Sequence, residues 1–463
     1  MKPQRILVAL LAVALLVAGC SGRSGGGGRG DVEAAAKGGG DTAVSADFGD
    51  LKNVCQPGKA TSSPTQGVTA DRIEVGVFTD MGLTKKTEFP DAAKVFTSWC
   101  NANGGINGRK LTVNVRDTKY TEVRQRMLEA CREDFALVGG SAALDGLGVK
   151  DRLSCLLPDF PAQLGEPSNA GADLQIGGGV NAARPYDPYV GMHQWLFNEV
   201  YPNSAGAIGI LAGDSPVTKI RAIKYAEGLP AEGATLVYSD LIPATGVTDW
   251  TPYAQAMKSK GVRGLFFMGD FRSLAKLELV LADMQYKLDW IDINNNAYSQ
   301  AFLELAGKSL ATQNNYADLS GTAPLELSDT IPAVAQAKSL FAKYAPGAEL
   351  TYPALRALSQ WLLFAKTAAS CGDNLTRTCL LDNARKEKAW TAGGLQAPVD
   401  MSSQSILPKC FNVVQPTPDG WKVADFKPDT GPFRCDMNPY VYKGDYGKAM
   451  TLADVGKSMS DVK

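Results

Sequence analysis

Histidine is almost absent from this sequence of 463 residues, in which His193 is the only one. A metal or acid–base site built from several histidines is therefore excluded, which argues against a hydrolase. Excess charge is absent too, since 47 Lys and Arg oppose 48 Asp and Glu. A dedicated nucleic-acid-binding protein is not expected without a positive excess. Long apolar runs are also missing: none reaches the roughly 18 residues of a membrane-spanning helix.

The remaining composition is that of a folded protein. Hydrophobic residues make up 45% and charged residues 21%, which is ordinary globular usage. At about 100 to 200 residues per domain, the length predicts two or three domains. The 48 glycines indicate many turns and close backbone approaches.

The N-terminus has the pattern of a secretory signal. Lys2 and Arg5 precede an apolar run over residues 6–18, which is too short to span a bilayer. The run ends in Val-Ala-Gly-Cys20, which resembles a bacterial lipobox whose cysteine thiol accepts a diacylglycerol. We predict a signal peptide over 1–19 and a lipid on Cys20 that anchors the chain at the extracytoplasmic face of the cell membrane. An ordinary signal peptide with an incidental cysteine is the alternative.

Eight cysteines remain after Cys20, and an even number in an exported chain indicates four disulfides. Many pairings are open. The 371–379 pair would close a short polar loop, the 410–435 pair would tie back the tail, and residues 100 and 131 lie on successive predicted helices. We predict the pairs Cys55–Cys155, Cys100–Cys131, Cys371–Cys379 and Cys410–Cys435. A zinc site is the alternative, but there is no Cys-x-x-Cys pair and His193 is remote in sequence.

The segment after the lipid site is rich in glycine, with runs at 25–28 and 38–40. Such a segment has too few apolar residues to build a core and suits a flexible tether. We predict a lipid-anchored tether over 20–54.

Strand and helix patterns then alternate along the chain. Predicted strands lie at 73–78, 111–115, 136–138, 207–211, 235–238 and 264–268. Predicted helices lie at 91–101, 122–133, 219–227 and 253–260. This alternation predicts an α/β protein with doubly wound parallel sheets, whose ligands bind beyond the carboxyl ends of the strands. Since a sheet of more than about ten strands is rare, the pattern favours two lobes.

One motif carries a family resemblance. The run Asn-Gly-Gly-Ile-Asn-Gly-Arg over 103–109, the opening Gly-Val-Thr-Ala-Asp-Arg-Ile-Glu-Val-Gly over 67–76 and Tyr-Pro-Ala-Leu at 352–355 resemble the type I periplasmic solute-binding proteins. The branch is the leucine/isoleucine/valine-binding-like one, the lipoprotein receptors of ABC importers. The resemblance covers about 55–440. The motif itself predicts a structural turn and not a ligand contact, since each glycine permits a positive φ.

The resemblance implies two lobes joined by three crossings, placed near 179–184, 314–319 and 397–403. Lobe one would comprise 55–183 and 316–398, and lobe two 184–315 and 399–463. The lobes would close on a ligand like a hinge, and a membrane permease would recognise the closed form. No cofactor is implied.

Loop positions after strands, together with the resemblance, supply the candidate ligand contacts. They are Asp80, Met81, Ser141, Ala142, Asp159 and Phe160 in lobe one, and Tyr186, Asp214, Asp270, Asn295 and Asn296 in lobe two.

Four of these residues have proposed roles. Ser141 suits a ligand carboxylate or is only a helix N-cap. Asp270 suits an ammonium or is only a solvated acid, and Tyr186 could stack on the ligand. Asp159 stands where amino-acid-binding relatives have small hydroxyl residues, and it would repel a carboxylate. A plain amino acid is the leading ligand, a cationic one is favoured if Asp159 and Asp270 both face the cleft, and amides, polyamines and small aromatic compounds stay open.

Enzyme motifs are incomplete. Gly213-Asp214-Ser215 is similar to an esterase motif, but the sole histidine lies upstream instead of downstream. Two Gly-Lys-Ser runs lack the first glycine of a phosphate loop. We therefore predict a non-enzymatic receptor that delivers a small polar solute to an ABC importer. A ligand sensor of the same fold and, less favoured, an exported α/β hydrolase are the alternatives.

Overall fold

The computed structural model describes residues 45–177 and 182–463. The predicted signal peptide, the lipid site Cys20, most of the predicted tether and residues 178–181 of the first predicted crossing lie outside these ranges. Among the described residues, no helix is both long and apolar enough to cross a membrane.

Eleven strands are found in the described ranges. They are β1 Arg72–Thr79, β2 Lys110–Asp117, β3 Ala136–Val138, β4 Asp159–Phe160, β5 Ile208–Gly213, β6 Leu236–Ile242, β7 Gly264–Met268, β8 Trp290–Asp292, β9 Asn315–Asp318, β10 Val413–Thr417 and β11 Gly420–Val423.

Twelve α-helices accompany these strands in the described ranges. They are α1 Met81–Thr84, α2 Glu88–Ala102, α3 Val123–Glu133, α4 Gly146–Ser154, α5 Val190–Gln194, α6 Pro216–Glu232, α7 Thr251–Ser259, α8 Phe271–Asp283, α9 Gln300–Ala306, α10 Pro332–Tyr344, α11 Tyr352–Ala369 and α12 Arg377–Ala384. A π-helical turn, Trp195–Val200, continues α5.

The strands form two separate sheets, as predicted. The first has the order β2-β1-β3-β4 and is parallel throughout. The second has the order β11-β10-β9-β8-β7-β5-β6, in which β10 and β11 are antiparallel additions to a parallel sheet. Strands such as β7 are buried at every residue, because helices cover both faces of a parallel sheet.

Helix α11 is the centre of the first lobe, with nearly every residue buried. Its Trp361 ring stacks on Phe96 of α2 at a centroid distance of 5.4 Å. The second lobe has its own hydrophobic clusters on the two faces of its sheet. Each lobe therefore has its own core, and the space between the two sheets is left for a cleft.

The glycine motif forms the tight turn that its sequence predicts. Gly104, Gly105 and Gly108 all have positive φ, at 104°, 82° and 88°. A Cβ on Gly105 would lie 2.1 Å from the Arg109 carbonyl oxygen, so only glycine fits there. The buried Arg109 guanidinium donates to the backbone oxygen of Thr69, 2.8 Å away. It also donates to the backbone oxygens of residues 62, 372 and 373. The motif is therefore structural.

Both ends of the described chain pack on the first lobe, which differs from the predicted tether and lobe boundaries. Phe48 is buried 6.0 Å from the Trp99 ring, so residues 45–54 belong to the folded unit. At the other end, the Leu452 N–H donates to Asp173 at 2.7 Å, and Val462 lies in the first-lobe core. The sequence analysis assigned residues 45–54 to the tether and the C-terminal residues to lobe two, whereas their apolar side chains are buried in the first lobe.

Two of the four predicted disulfides are wrong. The structure forms Cys371–Cys379 and Cys410–Cys435, as predicted. It pairs Cys55 with Cys100 and Cys131 with Cys155, instead of 55 with 155 and 100 with 131. The reason is packing: α3 lies against α4, which brings residue 131 beside residue 155, while the segment before β1 returns to the end of α2.

Candidate functional site

A cleft of about 750 Å³ opens between the carboxyl ends of the two sheets. The loops that follow β1, β3 and β4 line one side, and those that follow β5, β7 and β8 line the other. This is the position at which parallel α/β sheets bind ligands. The cleft is therefore the candidate binding site.

Seven of the eleven predicted contact residues line this cleft. They are Asp80, Ser141, Ala142, Asp214, Asp270, Asn295 and Asn296. Each lies in a loop that follows a strand, which is the feature of the sequence from which it was predicted.

On the first-lobe wall, the Asp80 carboxylate is already bonded within the protein. It accepts hydrogen bonds from the Ala143 N–H at 2.7 Å and from the Thr118 hydroxyl. Ser141 is not an N-cap, because α4 begins at Gly146. Asp80 thus holds the cleft loops together, and Ser141 can offer a hydroxyl to a ligand.

On the second-lobe wall, the two predicted aspartates also have partners. Asp214 forms an ion pair with Lys219. Asp270 caps α8 by accepting from the N–H groups of Arg272 and Ser273, both at 3.1 Å. Both carboxylates are therefore at least partly neutralised by the protein.

The other four predicted residues do not line the cleft. Asp159 and Phe160 form strand β4 itself and are buried, so they belong to the sheet and not to the loop that follows it. Burial raises the pKa of Asp159, which the Arg152 guanidinium partly offsets. Met81 begins α1 outside the lining. Tyr186 is buried beside a different cavity.

The most distinctive group in the cleft, Arg221 on α6, was not predicted. Its guanidinium lies 5.0 Å from the Tyr189 ring centroid and 5.3 Å from that of Tyr225, and it donates to the Tyr225 hydroxyl at 3.0 Å. Tyr189 in turn accepts a hydrogen bond from Asn295 at 3.3 Å. Tyr189 supplies the aromatic wall expected of Tyr186. A Tyr-x-x-Tyr spacing after the crossing was the available signal.

The Arg221 guanidinium has no ion pair with a carboxylate within the described ranges, and its Nε has no hydrogen-bond partner there. The Asp292 carboxylate interacts electrostatically with the Arg221 guanidinium, but it also contacts the His193 ring. This cation in the wall is therefore free to meet an anionic group.

Lys224, one turn further along α6, joins this helix to the first crossing. Its buried ammonium donates to the carbonyls of Ala182, Ala183 and Arg184 at 2.9–3.2 Å. Burial, and then the nearby Arg221, lowers its pKa to about 8. Lys224 therefore positions the hinge segment against the wall that carries Arg221.

Two contacts bridge the cleft. The Gln163 side-chain amide donates to Asn296 Oδ1 at 3.0 Å, and the Lys86 ammonium lies 5.3 Å from the Phe271 ring centroid. Since residues 86 and 163 belong to the first lobe and 271 and 296 to the second, the lobes are in contact across the cleft.

His193 is buried behind this wall, in agreement with a structural role. Its Nδ1 is 3.2 Å from Asp187 and its Nε2 is 3.4 Å from Asp292. Burial alone would lower the pKa of His193, but these carboxylates raise it to about 10. Glu232, Asp187 and His193 place potential metal-ligand atoms within 4.8 Å of one another. Both imidazole nitrogens are, however, engaged by carboxylates.

The fold and the cleft together define a two-lobed α/β solute-binding protein. The family model described as "Periplasmic binding protein" matches residues 188–420, half of the chain, so the chain belongs to the periplasmic binding protein family. A search of curated proteins finds no significant match.

Solved structures of the same fold cover most of the chain. A fatty acid ABC transporter substrate-binding protein from Thermomonospora curvata is 19% identical with a TM-score of 0.64, covering 78% of this chain and 93% of its own. The isoleucine complex of a branched-chain amino acid transporter substrate-binding protein from Streptococcus pneumoniae is 17% identical with a TM-score of 0.59, covering 76% and 99%. A leucine-binding protein from Thermotoga maritima is 11% identical with a TM-score of 0.61, covering 76% and 97%.

The predicted type I fold and family are therefore confirmed. Members of this family bind solutes and are not enzymes, which agrees with the incomplete esterase motif at Ser215.

Proposed function

We propose that the chain is a lipid-anchored extracytoplasmic receptor that captures a small polar solute bearing a carboxylate and delivers it to an ABC importer. An amino acid, or a related compound that keeps the carboxylate, is the solute class. Lipid attachment at Cys20 is part of this proposal.

The observation that carries the ligand class is Arg221. A guanidinium in a partly desolvated wall interacts strongly with a carboxylate, because such hydrogen bonds are assisted by charge. Its stacking between Tyr189 and Tyr225 holds it in one orientation before the ligand arrives. The Ser141 hydroxyl and the Asn296 amide on neighbouring loops supply further polar contacts.

The earlier reason to favour a cationic solute is weakened. It required Asp159 and Asp270 to face the cleft together, and Asp159 is buried in the first lobe while Asp270 caps α8. Glu166, another acid of the cleft lining, accepts a hydrogen bond from the Gly146 N–H at 3.0 Å. It suits the ammonium of a zwitterion.

Two structural neighbours support a carboxylate ligand. One is in complex with isoleucine, and the other is the substrate-binding protein of a fatty acid ABC transporter. Both ligand types carry a carboxylate, although their hydrocarbon parts differ greatly.

A thermal-shift screen of the unit from Val44 to Lys463 tests the proposal, with amino acids, their amides, polyamines and small aromatic acids as ligands. A ligand at about 100 times its dissociation constant adds about 2.7 kcal/mol, a shift of a few degrees. We expect hits among carboxylates and none among their amides.

Two variants sharpen this test. Arg221→Gln should weaken binding of the hit by about tenfold or more, since a hydrogen bond to a charged group is lost. Arg263→Gln, at the far end of β7 in an ion pair with Asp289, is the matched control and should bind normally. Hits confined to polyamines, or equal binding by Arg221→Gln, would contradict the proposed class.

A further inference from the structure

A second cavity, of about 480 Å³, lies at the hinge and shares no lining residue with the cleft. All three connections between the lobes contribute to its wall. Arg184 and Tyr186 come from the first, Ser320 from the second, and residues 397–410 from the third. We call this cavity the hinge pocket.

The polar end of the hinge pocket carries an unpaired positive charge. Arg184 is 3% exposed, and its guanidinium donates to the Gly177 carbonyl at 3.0 Å and to the Gln404 side chain. Within the described ranges its Nε has no hydrogen-bond partner and no carboxylate pairs with it. Burying a cation without a counter-charge is costly, so the site favours an anion. The buried Ser320 hydroxyl also lines the pocket and is a second polar group there.

Much of the remaining wall is apolar, although Ser403, Gln404 and Thr430 also line it. The third connection supplies hydrocarbon side chains, which are Pro398, Val399, Met401, Ile406, Leu407 and Pro408. Ile406 is 41% exposed, which marks the mouth of the pocket. At the rim, the Asp400 carboxylate lies 3.9 Å from the Lys388 ammonium, so this acid is already paired, while Lys409 is exposed.

We propose that the hinge pocket binds an amphiphilic carboxylate, whose carboxylate pairs with Arg184 and whose hydrocarbon part lies along residues 398–408. Charge complementarity and the apolar wall both select this class. The site is independent of the cleft ligand. Because the three connections move relative to one another when the lobes close, an occupant of this pocket holds them in one arrangement.

The test uses octanoate, with octan-1-ol as a control that has the same hydrocarbon chain and no charge. Binding to the unit from Val44 to Lys463 is measured by calorimetry on an Arg221→Gln background, which removes the cationic group of the cleft. We expect octanoate to bind with one site and at least about tenfold more tightly than octan-1-ol.

Two further variants locate the site. Arg184→Gln should weaken octanoate binding by about tenfold or more and leave octan-1-ol unchanged. Since Arg184 is buried and its replacement can unfold the protein, Ile406→Glu offers a second test at an exposed position, with Ile406→Gln as its uncharged match. Its carboxylate at the mouth should repel octanoate, whereas Ile406→Gln should retain charge-dependent binding.

The outcomes are decisive in either direction. Loss of octanoate binding in Ile406→Glu but not in Ile406→Gln supports the hinge pocket. No octanoate binding on the Arg221→Gln background, or equal binding by all variants, overturns the proposal.

Discussion

The role of an arginine in this chain depends on the groups around its guanidinium, as Arg221 and Arg184 show. Each guanidinium lies in the wall of a cavity, and each has an Nε without a hydrogen-bond partner in the described parts of the chain. Arg109, by contrast, donates to several backbone carbonyl oxygens and to the Asp373 carboxylate, and serves the fold. The same residue type thus has a binding or a structural role according to whether neighbouring groups satisfy its guanidinium.

The Glu278 carboxyl should make the free energy of unfolding depend on pH. It is fully buried in α8, where burial raises its pKa to about 7 while the Ser309 hydroxyl, 2.6 Å away, partly lowers it. A raised pKa means that its contribution to stability is complete below pH 4.5 and is lost as the pH rises through about 7.

We therefore expect Glu278→Gln to flatten the decline of the unfolding free energy between pH 4.5 and 7.5. A tenfold change in proton affinity corresponds to about 1.4 kcal/mol, so the effect is on the order of 2–3 kcal/mol. Urea denaturation at several pH values measures it. The exposed Glu304→Gln is the control, and an unchanged slope in Glu278→Gln would refute this account.

At the scale of elements, the packing of helices determines which cysteines can pair. Helices α3 and α4 pack side by side, and the bond between residues 131 and 155 closes a loop with a sequence separation of 24. The bond between 371 and 379 closes a separation of only 8. A longer loop loses more entropy when it is closed in the unfolded chain, so the two bonds should differ in their contribution to stability.

Replacing Cys131 and Cys155 together with alanine should lower the unfolding free energy by about 3 kcal/mol, and replacing Cys371 and Cys379 by about 1 kcal/mol less. Chemical denaturation of both double variants measures the difference. Non-reducing peptide mapping of the unmodified chain checks the pairing, and a peptide linking residues 55 and 155 would contradict it.

For the whole molecule, closure of the lobes is the property that the proposed function requires, and the contact between Gln163 and Asn296 spans the cleft. A hydrogen bond of this kind contributes about 0.5–1.5 kcal/mol net, which is roughly a 2-fold to 13-fold change in the ratio of closed to open molecules.

We expect Asn296→Ala to give a larger radius of gyration than the wild type without ligand, and saturating ligand to restore the compact value. Small-angle X-ray scattering measures both. Lys276→Ala, an exposed position on α8, is the control. A radius of gyration for Asn296→Ala equal to that of the control would show that the contact does not hold the lobes together.

The sequence alone determined the α/β class, the family and the strand-end loops of the cleft. These follow from local patterns: a strand predicted at 264–268 is observed at Gly264–Met268, and the glycines of the 103–109 motif have the positive φ that their spacing requires. A parallel sheet then places every strand-end loop at one edge, so Asp80, Asp214 and Asn295 could be assigned to the cleft without coordinates.

Only the tertiary structure decided the pairing of Cys55, the burial of Asp159, and the choice of Tyr189 over Tyr186. Arg221 and the hinge pocket belong to the same group. In each case the deciding quantity is a distance between segments that are far apart in sequence, or a shift of one or two residues in where a strand or helix ends. Neither is encoded in a local pattern, because both result from how the two cores pack.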